Sequence, residues 1–203
     1  MMQDLGIEAV VFDLGGVIVG HDDAAMIDAL TARCAAPWTA SDVARLAGAP
    51  RWATGAPVRE LHDLLRADAG YAGDWPRFVE DWCSHLKLDP AMLDFVEALA
   101  ARGRVMIFSN TNAEHWSFFL EVSGRRLAHL EAHLSHEIGH LKPDARAYRA
   151  VVARAGTAPG KLLFFDDKIA NVAAARREGF QAEVFTGLDA LRGMLAARGL
   201  YGP

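Results

Sequence analysis

Ala9-Val10-Val11-Phe12-Asp13-Leu14-Gly15-Gly16-Val17-Ile18 is the stretch on which the reading of this 203-residue chain turns. Ala9 to Phe12 is a continuous apolar run and predicts a short strand, at about residues 8–13, buried on both faces. It runs into a carboxylate, and two glycines follow. An ionised Asp at the mouth of a buried strand is costly to desolvate unless a cation or hydrogen-bond donors compensate it. Glycines directly after it let the backbone turn sharply, permit a positive φ, and bring amide N–H groups close to an anion. In open α/β sheets, ligands bind at the carboxyl ends of the strands. The segment therefore reads either as an acid beside an anion cradle or as an Asp capping a tight turn.

The chain downstream repeats the pattern. From Asp89 onward buried strands alternate with helices. Asp89-Pro90 is an N-cap followed by a first-turn proline, and the helix it opens buries Leu93, Val96 and Leu99 before Gly103. Val105-Met106-Ile107-Phe108 is a second apolar strand ending at Ser109-Asn110-Thr111-Asn112, followed by a helix through Trp116, Phe119 and Leu120. A weaker strand near Ala132 to Ser135 leads to a loop with Gly139, Lys142 and Pro143, then to a helix carrying Tyr148, Val151 and Val152. Leu162-Leu163-Phe164-Phe165 ends at Asp166-Asp167; Ile169 to Glu178 is helical, Ala182 to Phe185 a last strand and Leu188 to Arg198 a last helix. This rhythm predicts an α/β fold, a Rossmann-like parallel sheet flanked by helices with right-handed crossovers. In such a sheet Asp13, Ser109, Lys142 and Asp166-Asp167 converge on one edge, although the chain separates them widely.

Residues 21–88 have a different texture. Helical periodicity recurs over Asp22 to Cys34, Val58 to Ala69 and Asp74 to Leu86, with no strand runs and with Gly48, Pro50, Gly55, Pro57, Gly70 and Gly73 as punctuation. The expected organisation is an α/β core from residues 1–20 and 89–203 and a small helical cap from 21–88. Trp38, Trp52, Trp75 and Trp82 are expected to form the core of that cap rather than a ligand cage.

Composition sets the outer limits. A content of 52 % hydrophobic and 23 % charged residues is that of a globular protein. The net charge of −5, with no basic run, argues against nucleic acid or an anionic membrane as partner. No apolar run approaches the roughly 20 residues that span a bilayer, and Met1 to Leu5 lacks a signal-peptide pattern. Cys34 and Cys83 have no metal-type spacing and read as free thiols, which fits a cytoplasmic protein. Oligomeric state is not legible.

Three carboxylates, Asp13, Asp166 and Asp167, cannot share one crevice as anions without a cation. Oxygen ligands without His or Cys at ligand spacing point to Mg²⁺. The Ser109 hydroxyl, neighbouring amides and the Lys142 ammonium are what a phosphoryl group needs on its other side. Together they fit phosphoryl transfer through an aspartyl phosphate.

In these motifs, Phe-Asp13-Leu-Gly-Gly-Val, Ser109-Asn110-Thr-Asn, Lys142-Pro-Asp and Phe-Phe-Asp166-Asp167-Lys-Ile-Ala-Asn171, the chain resembles the haloacid dehalogenase-like (HAD) hydrolases, in order and across nearly its whole length. It looks most like the helical-cap subgroup, and within it the small sugar-phosphate phosphatases of the α-glucose-1-phosphate phosphatase type. The resemblance implies Asp13 as nucleophile, Ser109 and the Asn110 amide as phosphate donors, and Lys142 as charge stabiliser. It implies Asp13, the Gly15 carbonyl and Asp167 as Mg²⁺ ligands, with Asp166 a neighbouring or water-mediated one. The expected substrate is a small phosphorylated metabolite, with a sugar phosphate favoured.

One position departs from that pattern. Family phosphatases usually carry, two residues after the nucleophile, an Asp that protonates the leaving group; here it is Gly15. Loss of such an acid typically costs roughly 10²–10⁴-fold. His21, Asp22 and Asp23 are the nearby substitutes, each also readable as a solvated loop residue. A non-catalytic binding protein and a 2-haloacid dehalogenase are the alternatives within the fold. Outside it stands a zinc hydrolase, because His136-Glu137-Ile138-Gly139-His140 matches H-E-x-x-H. That motif requires a helix, which Gly139 and Pro143 oppose. Arg51, His62 and His85 are the cap residues that could touch a sugar.

Overall fold

The computed structural model describes residues 6–201; the signal-peptide reading of Met1 to Leu5 falls outside them. In chain order, β1 (Ala9–Phe12) and β2 (Val19–His21) are followed by α1 (Asp23–Thr31), α2 (Ala40–Ala47), a 3₁₀ turn at Pro50–Thr54, α3 (Val58–Ala69) and α4 (Trp75–Cys83). β3 (Leu86–Leu88), α5 (Pro90–Ala100), β4 (Arg104–Ser109), α6 (Ala113–Val122), β5 (Glu131–Leu134) and the single turn α7 (Ser135–Ile138) come next. α8 (Ala145–Ala155), a 3₁₀ turn at Pro159–Lys161, β6 (Leu162–Asp166), α9 (Ile169–Arg177), β7 (Gln181–Val184) and α10 (Leu188–Ala197) complete the chain.

Five strands form one parallel sheet in the order β5-β4-β1-β6-β7. β1 is central because it is apolar at every position: Val10 and Phe12 face one core cluster, with Val96 of α5, Phe119 of α6 and Leu195 of α10. Ala9 and Val11 face the other, with Tyr148 and Val151 of α8 and Val172 of α9. The chain builds outward from β1 to β4 and β5, then returns to the opposite side of β1 to add β6 and β7. The order of strands thus reverses at β1, the position where open α/β sheets bind ligands.

The run 21–88, expected to lack strands, is bounded by a pair of them, and this corrects the sequence reading: β2 reaches its first residue and β3 is its last three, paired antiparallel with Val19 opposite Leu88 and His21 opposite Leu86. Val-Gly-His and Leu-Lys-Leu are too short to show a periodicity, and each exists as a strand only because the other end of the insertion lies beside it. Between them the helices bury their own cluster, which includes Leu30, Val43, Trp52, Leu61, Leu65, Phe78 and Trp82. α2 also escaped the periodicity reading, although it carries a legible start signal, a capping box in which Thr39 and Asp42 bond each other's backbone N–H. No helix among the described residues is long and apolar enough to cross a membrane.

Candidate active site

Asp13 leaves the end of β1 between the ends of β4 and β6, and its backbone N–H still donates to Phe165 O at 2.9 Å, continuing the sheet ladder. Its side chain is buried. The Leu14 N–H donates to Asp13 Oδ1 at 2.7 Å, and Lys142 Nζ lies 3.0 Å from the same oxygen. Oδ2 has no protein partner among the described residues. Burial pushes the Asp13 carboxyl up to about 6; Lys142 pulls against that rise and Asp166 adds to it.

Lys142 is the electrostatic centre of the edge. Its side chain is fully buried, and its ammonium donates to Asp166 Oδ2 at 2.7 Å and to Phe108 O at 2.9 Å. A buried ammonium is tolerated only when paired and hydrogen-bonded, and here two carboxylates and a carbonyl surround it. The loop that carries it is fixed by Asn110: Asn110 Nδ2 donates to Lys142 O, and Lys142 N–H donates to Asn110 Oδ1, both at 2.8 Å.

Asp166 and Asp167, adjacent in sequence, differ completely. Asp166, the last residue of β6, accepts from Lys142, from Lys168 N–H at 2.8 Å, and from Asn171 Nδ2 at 2.9 and 3.0 Å. Burial alone would raise its pKa, yet the Lys142 charge and these hydrogen bonds hold it below the usual carboxylate range. Asp167 is exposed and makes no hydrogen bond or ion pair among the described residues. One oxygen from each of Asp13, Asp166 and Asp167 lies within 4.8 Å of the others. Gly16 explains part of this approach: its φ is +79°, and a Cβ there would sit 2.5 Å from Asp167 Oδ2. The glycine that needs a left-handed conformation is therefore Gly16. Gly15 has no positive φ, and a Cβ on it would meet His21 Cδ2 at 3.4 Å, an ordinary contact. Three clustered carboxylate oxygens, one of them unpaired, in a cradle that a side chain on residue 16 would fill, fit a hard divalent cation.

Ser109 ends β4, buried, and its hydroxyl has no protein hydrogen bond among the described residues. With Asp13, Asn110, Lys142, Asp167 and Lys168 it lines a small pocket of about 70 Å³. Opening from it is a second cavity of about 390 Å³ beneath the helical insertion. His21, His85, Asn110, Thr111 and His115 line both. His85 Nδ1 and His115 Nε2 each bond Trp82 O, at 3.0 and 3.1 Å, so those two nitrogens carry the protons. Burial lowers both imidazoles, His85 to about 4 and His115 well below its ordinary value.

Of the residues singled out from sequence, Asp13, Ser109, Asn110, Lys142, Asp166 and Asp167 converge here, and Gly15 lines the same pocket. His85 lines both cavities; Arg51 lies over the Trp52 ring and 3.6 Å from Glu60, and His62 is packed against Tyr71, Trp75 and Phe78. Asp22 caps α1 and pairs with Lys87, whereas His21 and Asp23 face the larger cavity. Trp52 and Trp82 are core residues, as expected, but they also wall that cavity. The H-E-x-x-H segment does not make a helical zinc site: α7 ends at Ile138, Gly139 is left-handed at φ +77°, and His136 Nδ1 donates to Thr111 O. Sequence reading missed His115, whose signal is slight, a polar residue beside Glu114 in the first turn of α6. Asn171, part of the last motif, donates to both Asp166 oxygens.

The fold and this edge define a doubly wound α/β protein whose oxygen-rich acidic site lies at the switch point of its sheet. A model of the haloacid dehalogenase-like hydrolases matches residues 7–179, and the chain belongs to that family. Solved structures agree in fold. A HAD family enzyme from Bacteroides thetaiotaomicron, in complex with magnesium and inorganic phosphate, superposes with a TM-score of 0.75 at 22 % identity, over 88 % of this chain and 93 % of that one. A predicted HAD-like family hydrolase from Porphyromonas gingivalis gives 0.78 at 23 % identity, over 93 % and 98 %. An L-2-haloacid dehalogenase is more distant, at 0.60 and 19 % identity, over 87 % and 82 %.

Proposed function

We propose that this hydrolase is a magnesium-dependent phosphatase of a small phosphorylated metabolite, a sugar phosphate being the favoured class, with Asp13 as the nucleophile. The observation that carries the reading is the division of labour among the carboxylates. Asp166 is consumed by Lys142 and Asn171, which leaves Asp167 and the unpartnered Oδ2 of Asp13 facing the small pocket. The magnesium and phosphate bound by the Bacteroides relative add support.

Asp13, Asp167 and the Gly15 carbonyl would hold the cation, with Asp166 beside them; when bound, it neutralises the phosphate and the nucleophile so that the two anions can approach. The Asp13 carboxylate attacks phosphorus, the bond from phosphorus to the leaving oxygen breaks, that oxygen takes its proton from solvent because residue 15 is glycine, and the phosphoryl group remains on Asp13. Water then attacks that phosphorus, releasing inorganic phosphate and restoring the carboxylate. The Ser109 hydroxyl and Asn110 N–H bind the phosphoryl oxygens, and the Lys142 ammonium balances charge on Asp13 as it changes. The 21–88 segment acts as the cap that covers the leaving group and excludes water.

The test is phosphate release over a panel of phosphomonoesters with Mg²⁺ and with EDTA. Asp13→Asn should fold and lose at least about 10⁴-fold in turnover, and EDTA should silence the wild type. Substantial turnover by Asp13→Asn would falsify the aspartyl-phosphate route. Retained phosphate binding with no turnover by the wild type would leave a binding protein.

A further inference from the structure

The two connected cavities are chemically opposite. The small pocket beside Asp13 is lined by both Lys142 and Lys168. The larger cavity, about 390 Å³, has no lysine or arginine among its lining residues. Its single carboxylate is Asp23, at the rim, with a side chain 71 % exposed. Met26, Ile27, Ala47, Trp52 and Trp82 give it an apolar and aromatic side, and Asn110, Thr111, Asn112 and three histidines supply uncharged polar groups toward the small pocket. Arg51, next in sequence to two wall residues, is engaged elsewhere: its guanidinium is 3.9 Å from the Trp52 ring centroid and 3.6 Å from Glu60. Asn112 is also committed, its side chain capping α6 and contacting His115 Nδ1 at 3.1 Å.

A ligand whose phosphoryl end sits against Asp13 must pass the neck formed by His21, His85 and His115 and lay its remainder in this cavity. The volume is in the roughly 300–1,000 Å³ range of small-molecule sites. A second phosphate or a carboxylate placed there would meet no lysine or arginine, the His85 and His115 imidazoles that burial keeps neutral, and Asp23, whose carboxylate already lies 3.4 Å from the third imidazole, His21. An unpaired anion in such surroundings is strongly disfavoured. A ring with apolar C–H or aryl faces would instead pack against tryptophan and methionine. On the reading of this site as a phosphatase, we infer that the substrate is a phosphomonoester whose leaving group is uncharged and has an apolar face, and that bisphosphates and phosphorylated acids are rejected.

The experiment uses two pairs that differ by one carboxylate: glucose 1-phosphate against glucuronic acid 1-phosphate, and phenyl phosphate against 4-carboxyphenyl phosphate. With Mg²⁺, kcat/KM of the wild type should favour the uncharged member of each pair by at least about tenfold. Ala44→Arg, on the exposed side of α2 where it borders the cavity, should shrink that ratio to a few-fold. Acetyl phosphate, whose leaving group is too small to occupy the cavity, reports on phosphoryl transfer alone, and tryptophan fluorescence of Asp13→Asn with Mg²⁺ reports binding of each pair without turnover. Acetyl phosphate turnover with equal or inverted ratios overturns the inference and spares the phosphatase reading. Tighter binding of the uncharged members without any phosphate release does the opposite. Failure of every pair member to bind or turn over overturns the inference, and the phosphatase reading falls with it only if acetyl phosphate is untouched as well.

Discussion

The catalytic edge and the cavity beneath the insertion lie side by side, yet they are held together by different forces. At the edge, order comes from charge: one buried ammonium is shared by Asp13 and Asp166, and both Asp166 oxygens are bonded. In the cavity, order comes from shape. Trp82 and His115 stack with ring centroids 4.8 Å apart, His115 meets His85 at 4.4 Å, and the Ser135 hydroxyl reaches across from the core to Ala53 O at 2.6 Å. The first region specifies a reacting group and tolerates little change. The second offers a space of set size and polarity.

Lys142→Ala should produce the largest effect that separates the two. It strands two carboxylates in a buried site, a change that typically costs about 3–5 kcal/mol, and it should remove at least about 10²-fold of turnover. Urea unfolding of this variant beside Trp82→Phe, a comparably buried substitution in the cavity wall, measures the difference. Equal losses of stability would mean that charge does not dominate the edge.

Asp13→Asn sharpens the comparison in the opposite direction. The folded carboxyl is raised from 3.8 to about 6, so its ionisation weakens the fold: its stabilising contribution is complete below about pH 4 and is lost as pH rises through about 6. In the absence of metal, the Asn variant should therefore be more stable than the wild type at pH 8, by up to about 3 kcal/mol. The gap should close as pH falls toward 4. Thermal melts of both proteins in EDTA across that range are the measurement, and a constant gap would contradict the account of Asp13.

The cavity should respond to acid with the other sign. Burial depresses His85 to about 4 and His115 further, so their contribution is present above about pH 6.5 and is lost as pH falls toward 4. Trp82 fluorescence should report loosening of the insertion over that window. His115→Phe keeps a ring against Trp82 but cannot take a proton, so it should reduce the pH-dependent change. An unaltered acid transition in His115→Phe would relocate its cause.

How much of this was legible differs between the regions for one reason. Each edge residue stands next to its own strand: Asp13 after Ala9–Phe12, Ser109 after Phe108, Asp166 after Phe165. A buried parallel strand writes itself as a local apolar run, so the residue that ends the run was marked without knowledge of the fold, and the parallel topology that brings the ends together followed from the alternation of strands and helices. Fold class, the converging carboxylates, Lys142 and the family resemblance were all determined by the sequence alone. The partners of those groups were not: nothing local distinguishes the buried, fully bonded Asp166 from the open Asp167, or indicates that Gly16 rather than Gly15 is the conformationally special glycine. The cavity draws its wall from α1, α2, the turn at Pro50–Thr54, α4 and the end of β4. Its content of aromatic and imidazole rings, its lack of cations and the short β2–β3 pairing exist only after those segments pack, because pairing and enclosure are relations between distant residues that no local pattern encodes.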